Sequence, residues 1–415
     1  MKKEYEILKG TKDSIPSKQI KINFVLDVIR EQFEKYGFRP FDTPIIEYLE
    51  TLTNKYDDDA EIVQEIFKLS DRGDRKLGLR YDLTVPLCRY ISITKQLKKP
   101  FRRYQIGKVF RDGPIKLGRD REFIQCDGDV IGINGREIEA ELMILFYETY
   151  TKLKINAVIE LNNNKILRGA FLQEGFKDED LESLILSVDK LKKIGYDNVL
   201  KEIKTKGFDE QKIRKSLEIL GCKKIIEIKK LAKNKILKEG IDELEQLISL
   251  IKPFVDYRIN FSMSRGLNIY TGNIWEAYMK DEKILSSIGS GGRYDNVIGE
   301  FQGTGDVVDA VGISFGLVPI LNGLDDDKII EKETLTDLLV MPLDSNCVIK
   351  CFELVKKLRE NKNVELFYGN KVKQAFSYAE SLKIKEIAFI GEKEIENKKF
   401  KIKNIQTGVE REYEM

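Results

Sequence analysis

The stretch Phe101–Gly132, FRRYQIGKVFRDGPIKLGRDREFIQCDGDVIG, decides how the rest of the chain is read. Residues alternate in character from Tyr104 to Phe110 and again from Phe123 to Val130. That alternation predicts two antiparallel strands joined by the loop RDGPIKLGRD. Side chains on a strand point alternately to its two sides, so Gln125, Asp127 and Asp129 share one face, while Arg111, Arg119 and Arg121 crowd the loop. Two readings are open. The polar face is either the solvated side of a sheet, or a cleft that holds an anionic group with arginines and a cationic group with carboxylates. Arginine suits phosphate because its planar fork donates two parallel hydrogen bonds and stays charged.

Upstream, residues 18–36 place Val25, Val28, Ile29, Phe33 and Tyr36 on one helical face. Gly37 ends that helix, and FRPFDTPIIEYLE reads as extended chain punctuated by Pro40 and Pro44. KLGLRYDLTVPL is strand-like. Downstream, REIEAELMILFYETYTKL predicts a helix, and residues 165–252 read as a lysine-rich, inserted helical domain. Strands return after Pro253 in RINFSMSRGLNIYTGNIWEAY and SIGSGGRYDNVIGEF, with a helix expected after Gly312. The run Ser290-Gly291-Gly292-Arg293-Tyr294-Asp295 permits close backbone approach to a ligand but has neither dinucleotide nor Walker spacing. LNGLDDDKIIEKETLTD reads as a linker, and beyond it strands and helices alternate, predicting a small α/β domain with a partly parallel sheet.

Composition narrows the chemistry. The 415 residues carry 71 Lys+Arg against 69 Asp+Glu, a net charge of +2, too balanced to hold nucleic acid by bulk charge alone. The chain has no histidine at all. That excludes Ser-His and Cys-His nucleophiles, a histidine base and histidine metal ligands, leaving carboxylates, Arg, Lys, backbone dipoles and bound metal. Cys88, Cys126, Cys222, Cys347 and Cys351 form no CxxC pair, which suits the cytosol. With no long apolar run and no apolar region behind MKKEYEILKG, neither a membrane span nor a secretory signal is expected.

Taken in order, these pieces resemble the histidyl-tRNA synthetases, a family of class II aminoacyl-tRNA synthetases. KGTKDSIP, the following helix and YGFRPFDTPIIE are similar to motif 1, which implies a homodimer. LRYDLTVPLCRY resembles the strand that supplies a carboxylate for the amino group of histidine, which falls on Asp82 with Thr84 beside it. The opening stretch is similar to motif 2: Arg111 falls at the arginine on the ATP α-phosphate and Arg119 at a second phosphate-contacting arginine. Gln125 and Asp129 fall at contacts to histidine. SRGLNIYTG resembles the family signature, with Arg265 at the catalytic arginine and Tyr270 at the tyrosine that meets the imidazole. GGRYD and VGISFGL resemble motif 3. Two positions depart from the pattern: Asn268 and Ile269 stand where the signature reads Asp-Tyr, and Pro319 stands where motif 3 carries an arginine that grips ATP.

The resemblance implies an α/β fold with a class II antiparallel sheet flanked by helices. It implies a catalytic domain over 1–325 with the helical insertion at 165–252, and an anticodon-binding domain over 326–415. The implied activity is a cytoplasmic histidine–tRNA ligase that uses ATP and Mg²⁺ and acts on histidine and tRNA(His). Pro319 keeps a second reading in view: a histidine-binding, non-catalytic paralogue such as the regulatory subunit of ATP phosphoribosyltransferase. A third, a tRNA-binding module without small-molecule chemistry, has less behind it because the pocket residues are present.

Overall fold

The computed structural model describes residues 5–54, 61–94, 96–115, 120–264, 269–324, 334–369 and 371–415, apart from the side chains of 61, 62, 192 and 193. They fall into two compact units, Met1–Asp13 with Val25–Leu324, and Ser14–Phe24 with Asp325–Met415.

An eight-stranded sheet organises the first unit. Its strands run in the order Arg39–Pro40, Phe101–Phe110, Glu122–Ile131, Ala310–Gly316, Gly289–Arg293, Asn273–Met279, Ala157–Asn163, Tyr257–Ile259. The six central strands are antiparallel and the two edge strands pair parallel. Register aligns two rows along one face. One row is Arg103, Asp129, Gly312, Gly292, Ile274, Asn162, and the next is Gln105, Asp127, Ser314, Ser290, Glu276, Glu160. Between them, facing the other way, run Tyr104, Gly128, Ile313, Gly291, Trp275 and Leu161.

The apolar face is closed by two helices. Phe33, on the helix Pro16–Lys35, stacks on Tyr104 with ring centres 5.4 Å apart and meets Phe315 edge-on at 5.7 Å. From the helix Arg136–Lys152, Phe146 lies 4.8 Å from Phe315. Such ring pairs add roughly 0.5–1.5 kcal/mol each beyond the area they bury. Gly128 is needed beneath them, because a Cβ there would lie 2.2 Å from the Phe33 ring. Burying this face against helices leaves the polar rows as the face on which a ligand can sit.

A small antiparallel sheet joins Ile46–Tyr48, Lys76–Leu79 and Lys68–Ser70. Here the structure departs from the sequence reading of KLGLRYDLTVPL as strand throughout. The strand ends at Leu79, and Thr84–Ile93 is a helix that buries Val85, Leu87, Cys88 and Ile91. Pro86 falls in its first turn, where a missing N–H costs nothing. Likewise Gly312 lies mid-strand, and the helix expected behind it begins at Leu317. Helices Asn164–Gln173, Asp178–Val188, Tyr196–Thr205, Glu210–Leu220, Ile225–Leu231 and Lys235–Ile251, with the short turn Leu191–Ile194, fill the inserted segment.

In the second unit a five-stranded sheet runs Val364–Leu366, Leu338–Pro342, Glu386–Ile390, Lys399–Asn404, Glu410–Glu414, the first three parallel and the rest antiparallel. Leu338 and Val340 pack with Cys351, Leu354 and Val355 from the helix Val348–Leu358. Leu339 and Met341 pack with Ala375 and Ala379 from Val372–Ser381. A strand apolar on both sides is what a helix-covered parallel sheet requires. Of the stretch read as a linker, residues 325–333 lie outside the described residues.

Candidate active site

The polar face of the large sheet carries more charge than a core tolerates without partners. Arg103 is fully buried. Its Nη2 forms an ion pair with Asp129 Oδ2 at 2.7 Å and donates a hydrogen bond to the Leu83 carbonyl at 3.3 Å. The Tyr294 hydroxyl donates to Asp129 Oδ1. Burial pushes the Asp129 carboxyl up from its usual range, while Arg103 and Tyr294 pull it back. Breaking a buried pair of this kind leaves an uncompensated charge, which makes the arrangement stiff.

Two residues along the same strand, Asp127 is held differently. Ser314 Oγ donates to its Oδ1 at 2.6 Å. Burial pushes this carboxyl up to about 7; the Arg103 charge opposes the rise and the Asp129 charge adds to it. Gln125, next on this face, has its Oε1 buried with no hydrogen-bond partner among the described residues. A buried acceptor left open carries a free-energy penalty that a bound donor removes.

Asp82 sits in the turn between the strand Lys76–Leu79 and the helix Thr84–Ile93, and its Oδ1 accepts the Val85 N–H at 3.0 Å. Burial raises this carboxyl too, with the Val85 amide and the Arg111 charge opposing. Thr84 opens the helix. Arg111, just past the strand Phe101–Phe110, donates from Nε to the Tyr81 carbonyl at 3.1 Å and lies over the Phe123 ring, 5.1 Å from its centre. Both contacts pin the guanidinium beside the turn that carries Asp82.

Tyr270 lies over the strand Gly289–Arg293: a Cβ on Gly292 would meet its ring at 2.7 Å, so only glycine lets the ring settle there. Tyr270, Ile269 and Tyr294 belong to one apolar cluster with Leu87 and Ile131. The structure thus brings Asp82, Thr84, Arg111, Gln125, Asp129 and Tyr270 onto one side of one sheet. Arg119 and Arg265 lie outside the described residues. Pro319 is in the first turn of the helix Leu317–Gly323 and packs on Gly316, which pairs with Gln125.

Sequence reasoning left Arg103, Tyr294 and Ser314 unassigned, and saw Asp127 only as one of a polar set. Arg103 could have been found from FRRYQ, since period two puts it on the face of Gln105. Tyr294 and Ser314 had no such signal. Tyr294 lies 165 residues from the carboxylate it holds. Among the described residues no group of three or more His, Cys, Asp or Glu side chains gathers as metal ligands. No described helix is long and apolar enough to cross a membrane.

The chain is similar to known proteins over nearly its whole length. Residues 10–320 match the family model for histidyl-tRNA synthetase, and residues 337–415 match that for the anticodon binding domain. The chain is 38% identical over 419 residues to a Bacillus cereus protein named histidine–tRNA ligase 1, covering 98% of this chain and 97% of that one. It is 38% identical to the Clostridium tetani histidine–tRNA ligase over 97% of this chain and 94% of that one. A solved histidyl-tRNA synthetase from Nostoc superposes with a TM-score of 0.86 at 28% identity, covering 100% of this chain and 97% of that one. With the histidyl-tRNA synthetase model matched over most of its length and relatives similar from end to end, the chain belongs to the histidyl-tRNA synthetase family.

Proposed function

We propose that this chain is a class II histidine–tRNA ligase, which activates histidine with ATP to histidyl-adenylate and transfers the histidyl group to tRNA(His). The observation that carries the reading is the Asp129 carboxylate fixed between Arg103 and Tyr294 beside the Tyr270 ring, with the open Gln125 acceptor on the same face. Asp129 accepts an imidazole N–H and the Tyr270 hydroxyl meets the other ring nitrogen. An amino acid without the ring leaves these buried groups unpaired, which is how a polar pocket rejects near-analogues.

Asp82 and Thr84 take the α-ammonium group, leaving the substrate carboxylate to attack the α-phosphate in line while pyrophosphate leaves. No protein nucleophile is needed, which suits a chain without histidine. Arg111, with Arg265, stabilises charge growing on the α-phosphate, and Arg119 holds a further phosphate. Mg²⁺ bound with ATP would neutralise and orient the triphosphate. The adenylate then passes its acyl group to the terminal ribose of tRNA, while the unit that matches the anticodon model, part of a domain over 326–415, holds the far end of that tRNA. The catalytic domain spans 1–325 with the 165–252 insertion. The working form is a cytoplasmic homodimer, in which the exposed Ile45, Ile46 and Tyr48 of the motif-1 segment would be covered by the second copy.

ATP–pyrophosphate exchange with and without histidine, followed by charging of tRNA(His), tests the reading; histidine-dependent exchange and charging are expected. Pro319 favours the non-catalytic paralogue, while the anticodon-domain match speaks against it. Histidine binding without exchange would select the paralogue.

A further inference from the structure

The sheet topology forces a chain crossing. The strand Ala157–Asn163 lies between its parallel neighbour Tyr257–Ile259 and its antiparallel neighbour Asn273–Met279. The chain therefore leaves the first neighbour and enters the second at the C-terminal end of the strand between them. That end reads Asn162-Asn163-Asn164; the connecting residues 260–272 include both Arg265 and Tyr270 in sequence, with 265–268 outside the described residues.

All three asparagines are buried, and each side-chain Nδ2 is committed, while the Oδ1 atoms of Asn162 and Asn164 have no hydrogen-bond partner among the described residues. Asn162 Nδ2 donates to the carbonyls of Phe261 at 3.0 Å and Met263 at 2.8 Å, where the crossing begins. Asn164 grips where it ends: its Nδ2 donates to the Tyr270 carbonyl and its backbone N–H to the Gly272 carbonyl at 2.9 Å. Asn163 Oδ1 accepts the Lys165 N–H at 2.9 Å, capping the helix Asn164–Gln173. Its Nδ2 donates to Asn273 Oδ1 and to Glu243 Oε2, both at 2.9 Å. Glu243 belongs to the insertion helix Lys235–Ile251 and also takes Lys165 at 2.7 Å and Arg136 at 3.0 Å.

We propose that Asn162, Asn163 and Asn164 are positioning residues for the amino-acid pocket: the outer two clasp both ends of the segment bearing Arg265 and Tyr270, and Asn163 ties that clasp through Glu243 to the helical insertion. The proposal rests on the reading of Tyr270 as the imidazole contact. Asparagine suits the task because a short stem carries two N–H donors that can serve two carbonyls. Fixing both ends of a short segment removes most of the conformations it could otherwise sample. Groups that place a contact act on substrate affinity through geometry, so small displacements change binding without touching the substrate. The insertion thereby shares a hydrogen-bonded network with the strand ends that hold the pocket segment, and a displacement of Glu243 is felt at Asn163.

The competing account is that these amides merely satisfy buried backbone, which would affect stability alone. Asn234 supplies the control. It caps the helix Lys235–Ile251 by accepting the Leu237 N–H at 2.7 Å and donates to the Gly169 carbonyl at 2.8 Å, with no side-chain bond to the described residues of the crossing segment. In the full-length protein we would compare Asn164→Ala, Glu243→Gln and Asn234→Ala for melting temperature, histidine and ATP KM in pyrophosphate exchange, and the initial rate of tryptic cleavage after Arg265. Asn164→Ala is expected to raise the histidine KM about tenfold, to leave the ATP KM within about twofold, and to speed cleavage after Arg265. Glu243→Gln should shift the same quantities by about threefold. Asn234→Ala should lower the melting temperature and change neither histidine KM nor cleavage. Equal histidine KM and equal cleavage in Asn164→Ala and Asn234→Ala would overturn the clasp. Should Asn164→Ala fail to fold, an unchanged histidine KM and cleavage rate in Glu243→Gln would do the same. A wild-type chain without histidine-dependent exchange would sink the ligase reading, and the cleavage rates alone would then decide the clasp.

Discussion

The two sheets of this molecule bury opposite kinds of chemistry. In the second unit the strand Leu338–Pro342 has apolar neighbours on both faces, and its helices cover it completely. In the first unit the same pleat sends aromatic and aliphatic groups one way and Arg103, Gln105, Asp127, Asp129 and Ser314 the other, all but Ser314 of them buried. Burying those groups stabilises nothing by desolvation. They are tolerated because each has a partner, and what they gain in exchange for that strain on stability is a fixed, directional surface. A sheet built only to be stable would look like the second one.

The contrast breaks first at Arg103. Arg103→Met should cost about 3–5 kcal/mol of first-unit stability in denaturant unfolding, because it strands Asp129 as an unpaired buried carboxylate. Leu339→Ala in the second unit should cost about 2–5 kcal/mol and leave histidine affinity alone, since its loss is a cavity and not a charge. If both variants weakened histidine binding equally, the polar face would have no special standing.

Asp127 gives the next effect. Its carboxyl, at about 7 in the folded chain against 3.8 for the free side chain, stays protonated longer when folded. The folded state therefore binds more protons between those values, and stability contributed by this group falls as pH rises from about 4 to about 7, by at most about 1.4 kcal/mol per pH unit. Unfolding measured at pH 5 and pH 7 should show that loss, and Asp127→Asn should remove most of it. A slope identical in both proteins would assign the titration elsewhere.

How much of this was open to reading from the sequence follows from range. The hairpin Phe101–Ile131 was legible because its alternation is local and its loop is marked by Gly and Arg. Gln125, Asp127 and Asp129 shared a face for the same reason. The turn at Asp82 was misread as strand because Leu83, Val85 and Leu87 alternate as a strand would, yet Val85, Cys88 and Ile91 also fit a helix, and burial against Tyr294 and Ile298 settles the matter in favour of the helix. Partnerships such as Tyr294 with Asp129 or Ser314 with Asp127 depend on which distant strands become neighbours. No local pattern encodes that register.

The smallest effect concerns Pro319. It sits in the first turn of its helix, beside the strand end that pairs with Gln125, so Pro319→Arg removes no hydrogen bond and adds a cation at the position where motif 3 carries one. We expect the ATP KM in exchange to fall about threefold, with histidine KM unchanged, as for one partly exposed charge-assisted contact. An ATP KM that rises would show that proline shapes this end of the site.

The central claim is that the polar face of the large sheet is a histidine pocket, and titration calorimetry of histidine into the full-length protein tests it without depending on catalysis. The wild-type chain should bind histidine and not phenylalanine, and Asp129→Asn should weaken histidine binding by about a hundredfold while the melting temperature shows the protein folded. Histidine affinity unchanged in folded Asp129→Asn would contradict the claim.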